Sequence, residues 1–371
     1  MKIAVPRESV ANERRIALLP DTIKRLVGRK LEVVVESGAG VASGASDADY
    51  RAAGAQISAG SPLADADVVV KIQAPSQQEV LQLKEGSTII SLLYPMTNPS
   101  LVEALRAQKV TALSLDSIPR TTLAQMMDVL SSQATIAGYR AVIIAAEALP
   151  KMFPMLMTAA GTISPARVVV LGAGVAGLQA IATARRLGAV VEAADVRKVV
   201  KEQVESIGAR FIEVDSSEDA QGAGGYAKEV SDDYKAKQAA LVLERLSRCD
   251  ICITTALIPG RKAPILLTAE MVKAMRPGSV VVDMAAEQGG NCELTKPGER
   301  IVVGGVTIIG ELNLASQMAV HASQLFSRNV EKLLLHLLNK ESSAFKLDVS
   351  DEITRGVLIT KNGEIVKEMK P

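Results

Sequence analysis

The sequence predicts an α/β protein made of two doubly wound parallel-sheet domains joined by long helices. Three observations carry that expectation. Short β-branched runs alternate with helical patterns along almost the whole chain, which is how parallel sheets with right-handed crossovers read. At 371 residues the chain is too long for one ordinary core. Its apolar character comes from Ala, Val, Ile and Leu, with aromatics at 2% and no Trp, the mix required by strands buried on both faces.

In chain order, "MKIAVP" is a strand, "PDTIKRLVGR" a helix with Pro20 and Asp21 near its start, and "LEVVVESG" the next strand. "ADVVVKI", "STIISLL" and "VTALSL" follow as further strands. In "RTTLAQMMDVLSSQ", residues 120–133, Leu123, Met126, Met127 and Leu130 fall at i, i+3, i+4 and i+7. That spacing predicts an amphipathic helix with Gln125, Asp128 and Ser132 on its polar face and Arg120 and Ser131 near the edge. "IAGYRAVIIAAEAL", 136–149, reads as a long connecting helix that ends before Pro150. A second series starts at Arg167 with "RVVVLG", "VVEAAD", "RFIEVD", "DICITTA", "SVVVDMA" and "VTIIG", six strands and so a complete doubly wound domain. A last long helix, Ser316–Asn339, returns the chain to the first domain. The expected domains are therefore 1–135, completed by 320–371, and 136–319, which includes the connecting helix.

Composition excludes several function classes. Lys plus Arg (42) against Asp plus Glu (41) gives a formal charge of +1, which is no nucleic-acid footprint. The longest uncharged run, Val168–Ala184, contains three glycines and falls short of the ~18–20 apolar residues a bilayer span requires. The opening "MKIAVPRES" has no signal-peptide core, and three cysteines fit a reducing compartment, so a cytoplasmic location is expected. Cys249 and Cys252 form a C-x-x-C that enters an apolar strand and opens no helix, so they read as buried strand residues. Only His321 and His336 could offer imidazole, and both lie in the last apolar-periodic helix, so no metal site is expected.

The strongest motif is "VVVLGAGVAGLQAIATARRLGAVVEAADVR", in which Gly172, Gly174 and Gly177 form G-x-G-x-x-G. A valine-rich strand precedes it, an alanine-rich helix follows, and a second strand ends at Asp195, as a dinucleotide-binding Rossmann unit requires. Gly172 allows the tight turn, Gly174 lets backbone approach the pyrophosphate, and Gly177 lets helix pack on strand. Amides at the helix start then hold the phosphates. The cofactor-binding candidates are Gly172, Gly174, Val175, Ala176, Gly177, Asp195, Val196 and Arg197. Asp195 would accept hydrogen bonds from the ribose hydroxyls and repel a 2′-phosphate, which favours NAD over NADP, although Arg197 could receive such a phosphate. The polar stretch 215–238 is longer than ordinary connections. It reads either as a surface insertion or as a lid, hinged at Gly222, Gly224 and Gly225, that swings Tyr226 over the cofactor.

Taken together and in order, "GYRAV", "MTAAGTISPARVVVLGAGVAGLQAIATARRLGA", "DVR", "KEQVESIGA", "GGYAKE", "TTALIPGRKAPILLT" and "MRPGSVVVDMAAEQGGN" resemble one family across essentially the whole chain. It is the NAD(H)-binding component, the soluble alpha-1 type subunit, of proton-translocating nicotinamide nucleotide transhydrogenase. The resemblance implies hydride transfer between NADH and NADP⁺ coupled to proton movement. NAD(H) would be held by this chain, NADP(H) by a partner subunit, and the bilayer crossed by a third polypeptide, placing the chain on the inner face of the cytoplasmic membrane. It also implies a homodimer, a nucleotide in a cleft between the two domains, and no metal. Arg120, Asp128 and Ser131 match contacts to the nicotinamide end, Gln125 matches the residue that reaches the partner's NADP, and Tyr226 matches a lid residue. The family pattern favours a loop over a regular helix for part of 120–133.

The nearest alternative is an alanine dehydrogenase-like amino-acid dehydrogenase. Arg15 and Lys71 stand where that family binds the substrate carboxylate and carbonyl. Its acid/base histidine, however, is replaced by Tyr94 in "SLLYPMTN", and its aspartate before Gln-Gly-Gly by Glu287. Interconverting an amine and an imine needs a proton-transfer group with a pKa near neutrality, whereas a tyrosine ordinarily titrates near ~10. Hydride exchange between two nicotinamide rings needs no protein acid or base. Arg15 and Lys71 then read as inherited packing or ion-pair residues. A non-catalytic NAD-sensing module is the third reading.

Overall fold

The computed structural model describes residues 1–214, 231–258, 260–339 and 344–366. The chain divides into two compact units, Met1–Gln133 with Ser316–Pro371, and Ala134–Ala315.

The first unit begins with strands β1 (Lys2–Val5), β2 (Glu32–Glu36), β3 (Gln56–Ser58), β4 (Val68–Val70), β5 (Thr88–Ser91) and β6 (Thr111–Ser114). They lie parallel in the order β3-β2-β1-β4-β5-β6, so the winding reverses between β1 and β4. Helices α1 (Pro20–Val27), α2 (Asp47–Ala52), α3 (Gln77–Gln82) and α4 (Pro99–Ala107) are the crossovers. Their starts follow local chemistry: Pro opens α1 and α4, and Ser46 with Asp49 and Ser76 with Glu79 form capping boxes on α2 and α3.

A 20-residue helix, α5 (Val129–Ala148), leads into the second unit. Its mean hydropathy of 1.3 and its length are those of a membrane span. Ala141, Val142, Ile144 and Ala145 nevertheless pack into the second unit's core. An exposed hairpin follows, β7 (Leu156–Thr158) with β8 (Gly161–Ile163). The second sheet comprises β9 (Arg167–Leu171), β10 (Val190–Ala194), β11 (Arg210–Phe211), β12 (Ile251–Thr254), β13 (Val280–Asp283), β14 (Arg300–Val303) and β15 (Val306–Ile309). Its order is β11-β10-β9-β12-β13-β15-β14, parallel except for the edge strand β14. Helices α6 (Val175–Arg186), α7 (Val200–Ser206), α8 (Asp232–Leu246) and α9 (Ala269–Ala274) cover it. Val168, Val170 and Ile253 face α5 and α6, while Val169, Leu171 and Cys252 face α8 and α9, so each strand is buried on both sides.

Helix α10 (Ala319–Leu337) returns to the first unit, burying Phe326, Val330, Leu333 and Leu334 against its sheet. Ser323 and Ser327 of this helix accept hydrogen bonds from the Ile16 and Leu19 amides, each at 2.9 Å. A short helix α11 (Glu352–Val357) then precedes β16 (Leu358–Lys361) and β17 (Glu364–Ile365), which extend the first sheet antiparallel beyond β6 to eight strands.

Two local expectations are corrected. The segment 120–133 is not one helix: it forms a turn, a short 3₁₀ piece at Gln125–Met127, and only then α5. Asp128 is extended (φ −72°, ψ 91°) between the two, which breaks the helical run. Leu123 and Met126, expected on a buried face, are 62% and 58% exposed. The connecting helix consequently starts at Val129 rather than at 136. In the polar stretch 215–238, residues 232–238 belong to α8, whose first turn is capped by the Ser231 hydroxyl. Residues 215–230, including Gly222, Gly224, Gly225 and Tyr226, lie outside the described residues. Cys249 and Cys252 are buried at the start of β12, and burial pushes the Cys249 thiol up to about 12, unsuited to redox exchange.

Candidate functional site

In the second unit the glycine-rich loop links β9 to α6, where the winding reverses between β9 and β12. Gly172 has φ 102°, and a Cβ there would lie 2.6 Å from the Thr255 hydroxyl. That hydroxyl donates to the Gly172 carbonyl at 2.9 Å, while the Gly172 amide donates to the Ala194 carbonyl at 2.8 Å. A Cβ on Gly177 would stand 1.9 Å from the Gly172 oxygen, so helix and loop can meet only through glycine. Gly174 differs: the nearest atom to its Cβ position is Arg197 Nη2 at 3.9 Å. The loop is therefore closed beneath Gly172 and Gly177 and open above Gly174. No side chain caps α6, and its first-turn amides face that opening as an anion site would require. Val175 is 44% exposed, and Ala176 presents its carbonyl to α5, where a Cβ on Gly138 would approach it to 2.2 Å.

Asp195 follows β10 and is buried. Its Oδ2 accepts from the Ala173 amide at 2.7 Å and from Arg197 Nη2 at 2.6 Å. Its Oδ1 accepts from the Arg197 amide at 2.9 Å and from Arg197 Nε at 2.8 Å. The structure thus gathers Asp195, half-buried Val196 and Arg197 beside the loop, with the arginine held above its usual pKa by the bond to Asp195.

Three residues that the sequence does not single out support this loop. Besides Thr255, Asn291 accepts from the Ala256 amide at 2.9 Å and donates to the Ala256 and Pro264 carbonyls, each at 2.8 Å. Asp283, wholly buried at the end of β13, accepts from Thr254, Thr295 and the Ala285 and Cys292 amides. Their stretches "TTALIPG" and "AAEQGGN" stand out in the sequence, but nothing local distinguishes a loop strut from any other polar residue.

In the first unit, Asp128 caps α5: Oδ1 accepts from the Ser131 amide at 3.0 Å and Oδ2 from its hydroxyl at 2.6 Å. Arg120 and Gln125 are exposed on the preceding turn. Asn329 of α10 fixes that turn by donating to the Met126 carbonyl at 2.8 Å and accepting from Ser132 at 2.7 Å.

A third cluster lies at the carboxyl ends of β1 and β4. Arg15 and Lys71 are buried there, 5% and 0% exposed. Glu13 engages Arg15 through Nε at 2.8 Å and Nη2 at 2.6 Å, and Gln133 takes Nη1 at 2.8 Å. Lys71 donates to Glu79. Burial would raise the Glu79 carboxyl, but Lys71 and the Ser76 amide outweigh it and hold the group low. Glu8 accepts from the Ile72 and Gln73 amides at 2.6 and 3.2 Å. Burial nonetheless pushes Glu8 up to about 7, against the opposing charge of Lys71. Both cations are paired with carboxylates, the ion-pair role expected of them. Tyr94 has φ 47° and is 39% exposed.

Residues 4–137 match the family model described as alanine dehydrogenase/PNT, N-terminal domain. Residues 141–368 match the one described as alanine dehydrogenase/PNT, C-terminal domain. The chain belongs to the alanine dehydrogenase/PNT family. Within it, the chain is 49% identical over 375 residues to the first of the polypeptides that make up NAD(P) transhydrogenase subunit alpha in Rhodospirillum rubrum, covering 99% of this chain and 98% of the relative. The crystal structure of transhydrogenase from Sinorhizobium meliloti superimposes with a TM-score of 0.90 at 44% identity, covering 98% of this chain and 100% of that one. Alanine dehydrogenase of Halomonas elongata is more distant, 32% identical over 92% of this chain and 88% of its own. The family's two branches thus share this fold, and the chain lies nearer the transhydrogenase branch.

Proposed function

We propose that this chain is the NAD(H)-binding subunit of a proton-translocating NAD(P) transhydrogenase, exchanging hydride between NADH held here and NADP⁺ held by a partner subunit. The observation that carries the reading is the state of the amino-acid chemistry: Arg15 and Lys71 are committed to Glu13 and Glu79, and Tyr94 replaces the acid/base histidine. Direct hydride exchange requires none of these groups.

The residues present fit a dinucleotide, because the loop is open only at Gly174 and the α6 amides adjoin it. Gly172, Gly174, Val175, Ala176 and Gly177 would hold the pyrophosphate, with Asp195, Val196 and Arg197 at the adenosine ribose. Arg120, Asp128 and Ser131 would orient the nicotinamide end, and Gln125 would reach toward the partner's nucleotide. Tyr226 would close as a lid. When bound, the dihydronicotinamide supplies the hydride. What the protein contributes is proximity and orientation, worth most when donor and acceptor carbons approach ~3–3.5 Å, and exclusion of water. Proton coupling belongs to a membrane-spanning partner, and the chain works as a homodimer, peripheral on the inner face of the cytoplasmic membrane.

Reconstitution with an NADP(H)-binding transhydrogenase subunit tests this: NADH is expected to reduce NADP⁺ only when the partner is added. Robust turnover of NADH with pyruvate and ammonia by the chain alone would instead establish the amino-acid dehydrogenase. Nucleotide binding with neither activity would favour a sensor.

A further inference from the structure

The Asp195 carboxylate has no acceptor capacity to spare. A carboxylate offers about four lone-pair sites, and four donors occupy them: the Ala173 amide, the Arg197 amide, Arg197 Nε and Arg197 Nη2, all between 2.6 and 2.9 Å. A ribose diol can bind Asp195 only if a donor leaves. Two of the four are main-chain amides fixed by the loop and by the end of β10. The other two belong to one guanidinium on a rotatable side chain. The guanidinium is therefore the group that must yield.

Its destination follows from the same geometry. Arg197 Nη2 is the atom nearest the Cβ position of Gly174, 3.9 Å away. Gly174 opens α6, where an anionic pyrophosphate is to be held. A guanidinium released from Asp195 is already beside that anion, and a phosphate is as good a bidentate partner as the carboxylate it leaves.

We infer that Arg197 is a handover residue: it saturates Asp195 in the structure, cedes the carboxylate to the ribose hydroxyls of an incoming dinucleotide, and carries its charge onto the pyrophosphate. This rests on the reading that the loop binds NAD(H). The handover makes the two halves of recognition interdependent. Ribose binding displaces a cation, and the displaced cation rewards only ligands that bring a 5′-phosphate. It also removes Arg197 from the ribose, where it would otherwise receive a 2′-phosphate, and so leaves Asp195 to exclude NADP.

The test compares adenosine with ADP as competitors of NADH fluorescence, in the full-length chain and in Arg197→Ala and Arg197→Lys. Wild type is expected to prefer ADP. In Arg197→Ala, adenosine binds several-fold tighter because its competitor is gone, while ADP binds about tenfold weaker, a loss of roughly one charge-assisted contact. Arg197→Lys recovers part of the ADP preference. Equal weakening of both ligands in Arg197→Ala would overturn the handover, leaving Arg197 a prop that orients Asp195. An unchanged preference would overturn it too. Failure of wild type to bind NADH at all would sink the nucleotide reading itself, and the handover with it.

Discussion

Two places in this molecule share a topological address and differ in what fills it. In each unit the winding reverses beside the first strand, between β1 and β4 in one and between β9 and β12 in the other. Doubly wound folds bind ligands at the carboxyl ends of strands at such a switch. In the second unit that position holds glycines, free amides and a gap above Gly174. In the first it holds Glu8, Lys71 and Gln73, with Arg15, Glu13 and Glu79 closing around them. One switch point is built to admit an anion; the other has neutralised its own cations. Fold supplies the address, and the residues decide whether anything can be delivered there.

The largest effects come from filling the open site. Gly177→Ala should abolish NADH binding and destabilise the second unit by several kcal/mol, because its Cβ would overlap the Gly172 oxygen at 1.9 Å. Gly174→Ala should also cost most of the NADH affinity, yet change stability by only about 0.5 kcal/mol, since its Cβ meets nothing closer than an atom at 3.9 Å. NADH titration and thermal melts on both variants separate the two. A large loss of stability in Gly174→Ala would show that the gap is structural.

At the closed site the expected effect is on stability instead. Lys71→Met leaves Glu79 buried without its partner and should cost about 3 kcal/mol in denaturant unfolding. Restoring neutrality with Glu79→Leu should recover most of it. If the double variant is no better than the single, Lys71 is packing material rather than half of a pair.

The smallest effect is a pH dependence in the same cluster. Glu8 titrates at about 7 in the fold against a usual 4.5. Its contribution is fully present below pH 4.5, where both states are protonated, and is lost as pH rises through about 7, where the folded state must at last bear the buried charge. Glu8→Gln should abolish that decline, so its melting temperature relative to wild type should climb between pH 5 and 7 and level off above. Parallel curves would place Glu8 in water.

Much of this contrast is legible in the amino acids. Val68–Val70 and Val168–Val170 announce buried strands, and the spacing of Gly172, Gly174 and Gly177 before Asp195 announces the cradle. What escapes depends on neighbours distant in sequence. Gln56–Ser58 and Arg300–Val303 become strands only because a sheet edge pairs them. The apolar spacing of 120–133 points to a helix, but Asp128 caps the helix that follows, and Asn329, far along the chain, holds the turn before it. Arg15 and Lys71 are recognisable, while the carboxylates that occupy them come from Glu13 and from the cap of α3. The saturation of Asp195 by Arg197 is beyond any spacing rule, since it depends on which oxygen each donor reaches.

The central claim is that this chain orients a nicotinamide and moves no proton itself. The direct measurement is the single-turnover rate of hydride transfer from NADH to NADP⁺ in the reconstituted complex, followed across about pH 6 to 9. A flat profile is predicted, because no side chain of this protein enters the chemical step. A bell-shaped profile that flattens in Tyr94→Phe would contradict it, returning an acid/base role to the position where the dehydrogenases of this family keep their histidine.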